Sequence, residues 1–159
     1  MKELILLRHA KSSWESAVAD IDRPLLSRGV ERITAMTQKS ISLFEGVDQV
    51  FCSPANRALH TAVLMMRNAK LPLHLLQLEQ SLYTFEVEDV LSFIDSLNFD
   101  GKRIVLVGHN PAFTLAANYL GNLSVSHLPT AAWVHLKWTN LNDNQANAIM
   151  GNPKEVLKS

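Results

Sequence analysis

Short apolar runs separate longer stretches of mixed apolar and polar residues along the chain, which predicts alternating strands and helices. Three runs at 4–7, 47–51 and 104–107 are predicted to be strands covered on both faces; the first and third are continuously apolar, and the second is apolar at three of its five positions. Residues 73–76 form a weaker strand candidate. In residues 132–138, large apolar side chains alternate with others, which predicts a strand at the edge of the sheet.

The segments between these strands have helical character, at about 27–44, 54–68, 87–97 and 111–120. Two of these helices have marked beginnings, because Ser53-Pro54 and Asn110-Pro111 each place a capping side chain before a proline suited to the first helical position. Gly121 is a suitable residue for a helix end. Strands that alternate with helices predict an α/β domain with a mainly parallel sheet.

Composition narrows the class of protein. The chain has 159 residues with 15 Lys+Arg and 15 Asp+Glu, so it is long enough for one well-buried core and lacks the basic excess of nucleic-acid binders. A single cysteine excludes an intramolecular disulfide framework and any CxxC motif. The apolar run before Arg8 is too short for a signal peptide, and no stretch is long enough to span a membrane. We expect a cytoplasmic protein of one domain over residues 1–159, with a solvated tail at 152–159.

Cationic side chains follow the predicted strands where each strand ends. Arg8 and His9 follow the first strand, the helix after the second strand contains Arg57, and His109 follows the strand at 104–107. Ligands of open α/β sheets bind at the carboxyl ends of the strands, so these side chains are candidates for one site. Arg57 in the first turn of a helix opposes the helix dipole, a conflict that a bound anion would remove.

This set of residues suits phosphoryl transfer. A histidine fixed by a hydrogen bond to one ring nitrogen can attack phosphorus with the other, which makes His9 the candidate nucleophile. Arg8, Arg57 and protonated His109 would stabilise the oxygens of the transferring group. Because these side chains supply positive charge, we expect no metal ion and no other cofactor.

Two rival phosphate chemistries do not fit the spacing. Only four residues separate Cys52 from Arg57, whereas cysteine phosphatases have five, so Cys52 is predicted to be a buried structural thiol. Asp20-Ile21-Asp22 does not follow a buried strand, and we interpret it as a loop rather than as an aspartyl nucleophile. The glycines form neither a GxGxxG motif nor a Walker A loop.

The motifs around these residues resemble the three signatures of the histidine phosphatase superfamily: Leu7-Arg8-His9-Ala10, Ser53-Pro54-Ala55-Asn56-Arg57-Ala58 and Gly108-His109-Asn110-Pro111. The resemblance extends over about residues 3–120. Further segments are similar to the small SixA-type phosphohistidine phosphatases: Ala10 with Lys11-Ser12-Ser13-Trp14, Asp22-Arg23-Pro24-Leu25, Ser27-Arg28-Gly29 and Ser81-Leu82-Tyr83.

The resemblance implies a phosphoglycerate mutase-like fold, a three-layer α/β/α sandwich with a mainly parallel central sheet. It also implies that His9 becomes phosphorylated and that Arg8, Arg57 and His109 bind the phosphoryl group, with Arg23 contributing. The phosphoryl group on His9 would then be hydrolysed by water.

Three functions are consistent with these residues. The first is a metal-independent phosphatase of phosphohistidine in a partner protein, such as a histidine phosphotransfer domain; an imidazole leaving group needs little acid assistance. The second is a phosphatase of small phosphomonoesters, with a general acid among Glu79, Glu86, Glu88 and Asp89. The third is a phosphate-binding module without turnover. Neither nucleic acid nor a membrane is expected as a partner.

Overall fold

A central sheet organises residues 1–15 and 17–158, the part of the chain that the computed structural model describes. In chain order its strands are β1 (Lys2–Arg8), β2 (Gln49–Cys52), β3 (Leu76–Leu78), β4 (Arg103–Gly108), β5 (Trp133–Trp138) and β6 (Asn147–Gly151). Their spatial order is β3-β2-β4-β1-β5-β6. The pairings among β3, β2, β4 and β1 are parallel, and β5 is antiparallel to both β1 and β6.

Helices cover both faces of this sheet: α1 (Ser27–Lys39), α2 (Ile41–Phe44), α3 (Asn56–Asn68), α4 (Val87–Ser96), α5 (Ala112–Leu120) and α6 (Pro153–Val156). Helices α4 and α5 bury apolar side chains against one face. Helices α1, α2 and α3 do so against the other face. The structure therefore confirms the three-layer α/β/α sandwich with a mainly parallel sheet.

Strand β1 shows why the central strands are continuously apolar. Leu4 and Leu6 face the core under α4 and α5, whereas Ile5 and Leu7 face the core under α1 and α3. All four side chains are inaccessible to solvent. Because alternate residues of a strand point to opposite faces, a strand between two helical layers needs an apolar side chain at every position.

The outer strands differ from the sequence prediction. The strand predicted at 132–138 is β5, which is not at the edge, because β6 pairs with its outer side. Strand β6 itself was not predicted; only Ala148 and Gly151 of Asn147–Gly151 are buried. The weak candidate at 73–76 is wrong in position: Leu73–Leu75 is a 3₁₀ turn, and β3 begins at Leu76.

Helix boundaries also depart from the prediction. The helix expected at 27–44 is interrupted at Ser40, whose hydroxyl oxygen accepts a hydrogen bond from Trp133 Nε1 at 3.0 Å. Helix α3 begins at Asn56 rather than at Pro54, because Ser53 Oγ instead accepts the amide hydrogen of Ala55 in the preceding turn at 3.2 Å. Helix α5 begins at Ala112, and Asn110 Oδ1 accepts from the Thr114 amide at 3.2 Å.

The C-terminal segment is not the solvated tail that we expected over 152–159. Pro153 is buried in the short helix α6, and Val156 and Leu157 pack against the apolar cluster under α1 and α3. Apolar side chains at three of these positions explain the docking. Ser159 lies outside the described residues. None of the helices in the described ranges has the length and apolar character needed to cross a bilayer.

Candidate active site

The carboxyl ends of β1, β2 and β4 meet at one edge of the sheet and border a cavity of about 260 Å³. Arg8 is the last residue of β1 and lies beside Gly108, the last residue of β4, so His9 and His109 leave the sheet next to each other. The five residues predicted for the site all line this cavity: Arg8, His9, Arg23, Arg57 and His109.

His9 is 7% exposed and has a defined tautomer. Its Nδ1 lies 2.7 Å from the carbonyl oxygen of Ala10. A carbonyl oxygen only accepts hydrogen bonds, so Nδ1 must hold the proton and Nε2 the lone pair. Burial is the main cause that lowers the pKa of His9 to about 3; the Ala10 hydrogen bond opposes this shift, and the charges of Arg57 and Arg8 add to it. His9 is therefore a neutral imidazole with an unprotonated Nε2.

Arg57 is a buried guanidinium, 1% exposed, in the first turn of α3. It donates through Nη1 to the backbone oxygen of Asp20 at 2.7 Å and through Nη2 to Asp20 Oδ2 at 3.1 Å. The ion pair offsets the unfavourable position of a cation at a helix N-terminus. It also holds the guanidinium at the wall of the cavity.

Arg8 is anchored from the segment before β5. Its Nη1 donates to the carbonyl oxygen of Leu128 at 2.9 Å and approaches His127 Nε2 at 3.3 Å. Burial lowers the pKa of Arg8, and the charge of Arg57 lowers it further. Two like charges close together in a partly buried cavity create a strongly positive potential that favours an anion.

His109 is the second buried imidazole, 1% exposed, with its ring centroid 5.3 Å from that of His9. Its Nε2 lies 2.8 Å from Ser53 Oγ. Burial lowers the pKa of His109 to about 3, and the neighbouring His9 and Arg57 contribute to this shift. In the absence of an anion His109 is therefore neutral, like His9.

Arg23 is the third arginine that lines the cavity and is 7% exposed. Its Nη1 donates to Ser12 Oγ at 2.8 Å and to the Ser13 carbonyl oxygen at 3.1 Å. The guanidinium carbon lies 3.6 Å from the ring centroid of Trp14, a cation–π contact. Lys11 and Ser12 also line the cavity with Trp14, so this segment forms part of the cavity rim.

Asp20 is the site residue that sequence reasoning missed, because we interpreted its segment as a loop without a role. It lies in a 3₁₀ turn and contacts Arg57, Arg23 (Nε to Oδ1, 3.2 Å) and the Tyr83 hydroxyl (2.6 Å). Partial burial would raise its pKa, but the hydrogen bond from Tyr83 and the two guanidinium groups lower it to about 2. Asp20 is therefore ionised. Its position three residues before Arg23 was the one feature of the sequence that could have indicated an ion pair with a predicted site residue.

Three buried nitrogen atoms of the site have no hydrogen-bond partner within residues 1–15 and 17–158: Arg8 Nε, Arg57 Nε and His109 Nδ1. Buried donors without partners are costly and rare in folded proteins. All three belong to residues that line the same cavity. The cavity therefore combines excess positive charge with unused hydrogen-bonding capacity.

Other candidates from the sequence lie elsewhere. The possible acids Glu79, Glu86, Glu88 and Asp89 do not line the cavity. Cys52 is fully buried, and burial raises the pKa of its thiol, in agreement with a structural role. Two further side chains contribute that were not predicted as site residues: Phe85 on the cavity wall and Tyr83 on Asp20.

Comparison with known proteins identifies the family. The family model described as histidine phosphatase superfamily (branch 1) matches residues 4–78. The uncharacterized protein Rv1276c of Mycobacterium tuberculosis (strain H37Rv) is 30% identical over 118 residues, which are 74% of this chain and 72% of that protein. The chain belongs to the histidine phosphatase superfamily.

Solved structures share the fold over nearly the whole chain. The protein histidine phosphatase SixA complexed with tungstate has a TM-score of 0.82 at 18% identity, and the superposition covers 97% of this chain and 99% of the SixA chain. The mycobacterial glucosyl-3-phosphoglycerate phosphatase Rv2419c in complex with VO3 has a TM-score of 0.67 at 14% identity, with 96% and 99% covered. At these identities the likeness establishes the phosphoglycerate mutase-like fold.

Proposed function

We propose that this chain is a metal-independent phosphatase that hydrolyses phosphohistidine in a partner protein, such as a histidine phosphotransfer domain. The observation that supports this most directly is the state of His9: a neutral imidazole whose Nδ1–H donates to Ala10, so that the lone pair is on Nε2. His9 lines the cavity together with three arginines. A neutral nucleophile among fixed cations is suited to attack on a phosphoryl group.

In the first step, His9 Nε2 forms a bond to phosphorus while the bond from phosphorus to the substrate nitrogen breaks. The electron pair of the broken bond leaves with the substrate imidazole. Arg8 and Arg57 stabilise the charge on the phosphoryl oxygens, as fixed cations do in other phosphoryl transfers. In the second step, water adds to phosphorus, the electron pair of the P–N bond returns to Nε2, and inorganic phosphate leaves with the protons of water.

His109 is suited to donate a hydrogen bond to the same group. Ser53 Oγ accepts from the Ala55 amide at 3.2 Å, so its hydroxyl hydrogen is available to His109 Nε2 at 2.8 Å. That arrangement places the proton of His109 on Nδ1, the nitrogen without a partner among the described residues. A phosphoryl oxygen would accept this hydrogen bond.

The acid–base character of the cavity favours phosphohistidine over an alkyl phosphate ester. Asp20 is the carboxyl group on the cavity lining, and its pKa of about 2 leaves it without a proton to donate. An alkoxide leaving group requires a general acid, whereas imidazole leaves as a neutral base whose conjugate acid has a pKa near ~6.5. The likeness of the fold to a protein histidine phosphatase supports the same substrate.

Phosphoryl labelling tests the proposal. Incubation with a radiolabelled phosphohistidine protein should give label on the enzyme that is acid-labile, alkali-stable and absent in His9→Ala. His60→Ala is the matched control, because His60 is an exposed histidine away from the cavity lining. Turnover by His9→Ala at the wild-type rate would contradict the mechanism, and tungstate binding without any turnover would indicate a binding module. A higher kcat/KM on small esters than on phosphohistidine would favour the phosphomonoesterase.

A further inference from the structure

Exposure changes sharply from the floor of the cavity to its mouth. His9, Arg57 and His109 are 7%, 1% and 1% exposed, and they form the floor. Trp14 and Phe85 line the same cavity but are 76% and 51% exposed. The side chain of Asp20 is intermediate at 40%. If the phosphoryl group lies on the cationic floor, as the proposed function requires, the leaving group must extend toward the mouth.

The mouth has a different chemistry from the floor. Besides the exposed Lys11, it presents two exposed aromatic side chains and an ionised carboxylate. The aromatic side chains are held in place: Trp14 stacks on the Arg23 guanidinium at 3.6 Å, and Phe85 packs edge-on against His109 at 6.1 Å between ring centroids. Flat apolar faces beside a carboxylate suit a planar ring that has an N–H group or a positive charge.

We propose that Asp20, Phe85 and Trp14 form a leaving-group subsite that selects the N–H form of the substrate imidazole. This inference rests on the proposed function and specifies how its substrate is chosen. Asp20 accepts a hydrogen bond from the ring nitrogen that does not bear phosphorus. Phe85 and Trp14 contact the ring faces. A planar alcohol-derived leaving group would gain the aromatic contacts but would be repelled by the carboxylate as it became anionic.

The proton balance shows why the carboxylate matters. When the P–N bond of the substrate breaks, its electron pair goes to the nitrogen that held phosphorus. With a proton on the other nitrogen the ring leaves as neutral imidazole, and without that proton it would leave as an imidazolate anion. Asp20 therefore assists by holding a proton that is already on the leaving ring. The carboxylate donates no proton and accepts none.

The protein would then hold the His9 ring and the substrate ring by the same kind of hydrogen bond. The Nδ1–H of His9 donates to the Ala10 carbonyl at 2.7 Å, and the N–H of the leaving ring would donate to Asp20. In both rings the hydrogen bond holds the proton on the nitrogen remote from phosphorus. The phosphoryl group thus passes between two similarly oriented imidazoles.

Asp20→Asn tests the subsite through the difference between two substrates. The amide keeps the shape of Asp20 but loses the charge. We expect kcat/KM for a peptide phosphorylated on histidine to fall about tenfold, as for a lost hydrogen bond to a charged group. For p-nitrophenyl phosphate, whose leaving group donates no hydrogen bond to Asp20, kcat/KM should fall less, because only the orientation of Arg57 and Arg23 by Asp20 is affected. Asp22→Asn removes a charge from the same turn, outside the cavity lining, and should change neither value.

The aromatic side chains give a second, independent readout. Phe85→Ala should lower kcat/KM for both substrates several-fold, because both leaving groups are planar rings. Tyr119→Ala is the control, since Tyr119 is 70% exposed on α5 and does not line the cavity. Its effect on both substrates should be negligible.

The outcomes separate the subsite from the proposed function and from a purely structural role of Asp20. If Asp20→Asn lowers both rates equally and weakens tungstate binding in parallel, Asp20 only orients Arg57 and Arg23, and the subsite proposal is overturned. Equal wild-type and Asp20→Asn rates on the phosphorylated peptide would also overturn it. A failure of the proposed function itself would be recognised differently, because the wild-type protein would then carry no phosphoryl label on His9.

Discussion

At the scale of single residues, Arg57 has the most constrained position in the cavity. It is 1% exposed, and it donates to Asp20 through Nη1 and Nη2, whereas Nε has no partner in the described part of the chain. A phosphoryl oxygen near Nε would give all three nitrogen atoms of the guanidinium a hydrogen bond. Arg57 would thus be oriented by one anion, Asp20, and would bind a second.

Replacement of Arg57 should therefore affect turnover strongly. We expect Arg57→Ala to reduce kcat/KM by about 100-fold or more, on the scale of ~3 kcal/mol for one preorganised donor in a water-poor site. Arg57→Lys should rescue little, because an ammonium group does not reproduce the planar guanidinium and its paired hydrogen bonds. Steady-state kinetics on a phosphorylated peptide measure both effects.

Arg67→Ala is the matched control for these variants, because Arg67 is an exposed arginine in the last turn of the same helix. Its kcat/KM should match that of the wild type. Circular dichroism and the free energy of unfolding would show whether Arg57→Ala remains folded. A folded Arg57→Ala protein with unchanged kcat/KM would show that the phosphoryl group binds elsewhere.

At the scale of elements, the beginning of α1 positions the rim segment of the cavity. The Leu26 amide donates to the Lys11 carbonyl oxygen at 2.9 Å, and the Ser13 amide donates to the Pro24 carbonyl oxygen at 2.8 Å. Gly29, in the first turn of α1, lies so close to Lys11 that a Cβ there would overlap its carbonyl oxygen. A glycine is required here by the close approach of two backbones, not by its dihedral angles.

Gly29→Ala should force α1 and the rim segment apart. We expect a loss of about 1–3 kcal/mol in the free energy of unfolding, as for overpacking. Tungstate affinity should fall as well, because Ser12, which follows Lys11, holds Arg23 through a 2.8 Å hydrogen bond. Urea denaturation and tungstate titration measure the two effects.

Gly101→Ala separates the loss of stability from the effect on the site. Gly101 has a positive φ of 74°, and a Cβ added to it would have no other atom within 4 Å, so alanine there is strained but not crowded. That variant should lose stability and keep the wild-type tungstate affinity. Equal tungstate affinity in Gly29→Ala and the wild type would show that α1 does not position the rim.

The contrast between His9 and Asp20 shows how far the sequence could predict the site. His9, Arg8 and His109 were predictable because parallel strands bring their carboxyl ends to one edge, a regularity of the fold class. Asp20 is separated by 37 positions from Arg57, with which it pairs, and it reaches the cavity through an irregular 3₁₀ turn. No periodic pattern in the sequence indicates such a contact, so it becomes visible only in the tertiary structure.

The helices and strands likewise divide into those that a regular sequence pattern predicts and those that depend on tertiary contacts. Strands β1 and β4 are buried on both faces, and the prediction at 4–7 and 104–107 recovers their cores. Strand β6 has one neighbour and an exposed face, with Ile149 64% exposed, and its apolar run, Ala148-Ile149-Met150, is only three residues long. Helix α6 is too short to show a helical period, and its docking depends on an apolar surface that other elements provide.

At the scale of the whole molecule, the site should make stability depend on pH. The pKa values of His9 and His109 in the folded protein are about 3, against about 6.5 in an unfolded chain. Below pH 6.5 the unfolded state therefore binds more protons than the folded state, and the folded state loses stability as the pH falls toward 3. Each histidine contributes up to about 1.4 kcal/mol per pH unit in that range.

We expect the free energy of unfolding to fall between pH 7 and pH 4.5, and to fall less steeply in His9→Asn and in His109→Asn. His74→Asn is the control, because His74 is exposed and outside the cavity lining. Urea denaturation at a series of pH values measures the slopes. Parallel slopes for wild type, His9→Asn and His109→Asn would show that the two imidazoles are protonated as readily in the folded state as in the unfolded one.

Cys52 ends β2 directly before Ser53, so the protein's single thiol lies one residue from a hydroxyl that supports the site. Its sulfur is inaccessible, and burial raises the pKa of the thiol well above its usual range, which suppresses the reactive thiolate. Phosphatases that use a cysteine nucleophile are inactivated when peroxide oxidises that sulfur. A phosphatase with an imidazole nucleophile and a protected thiol would keep working under oxidative stress.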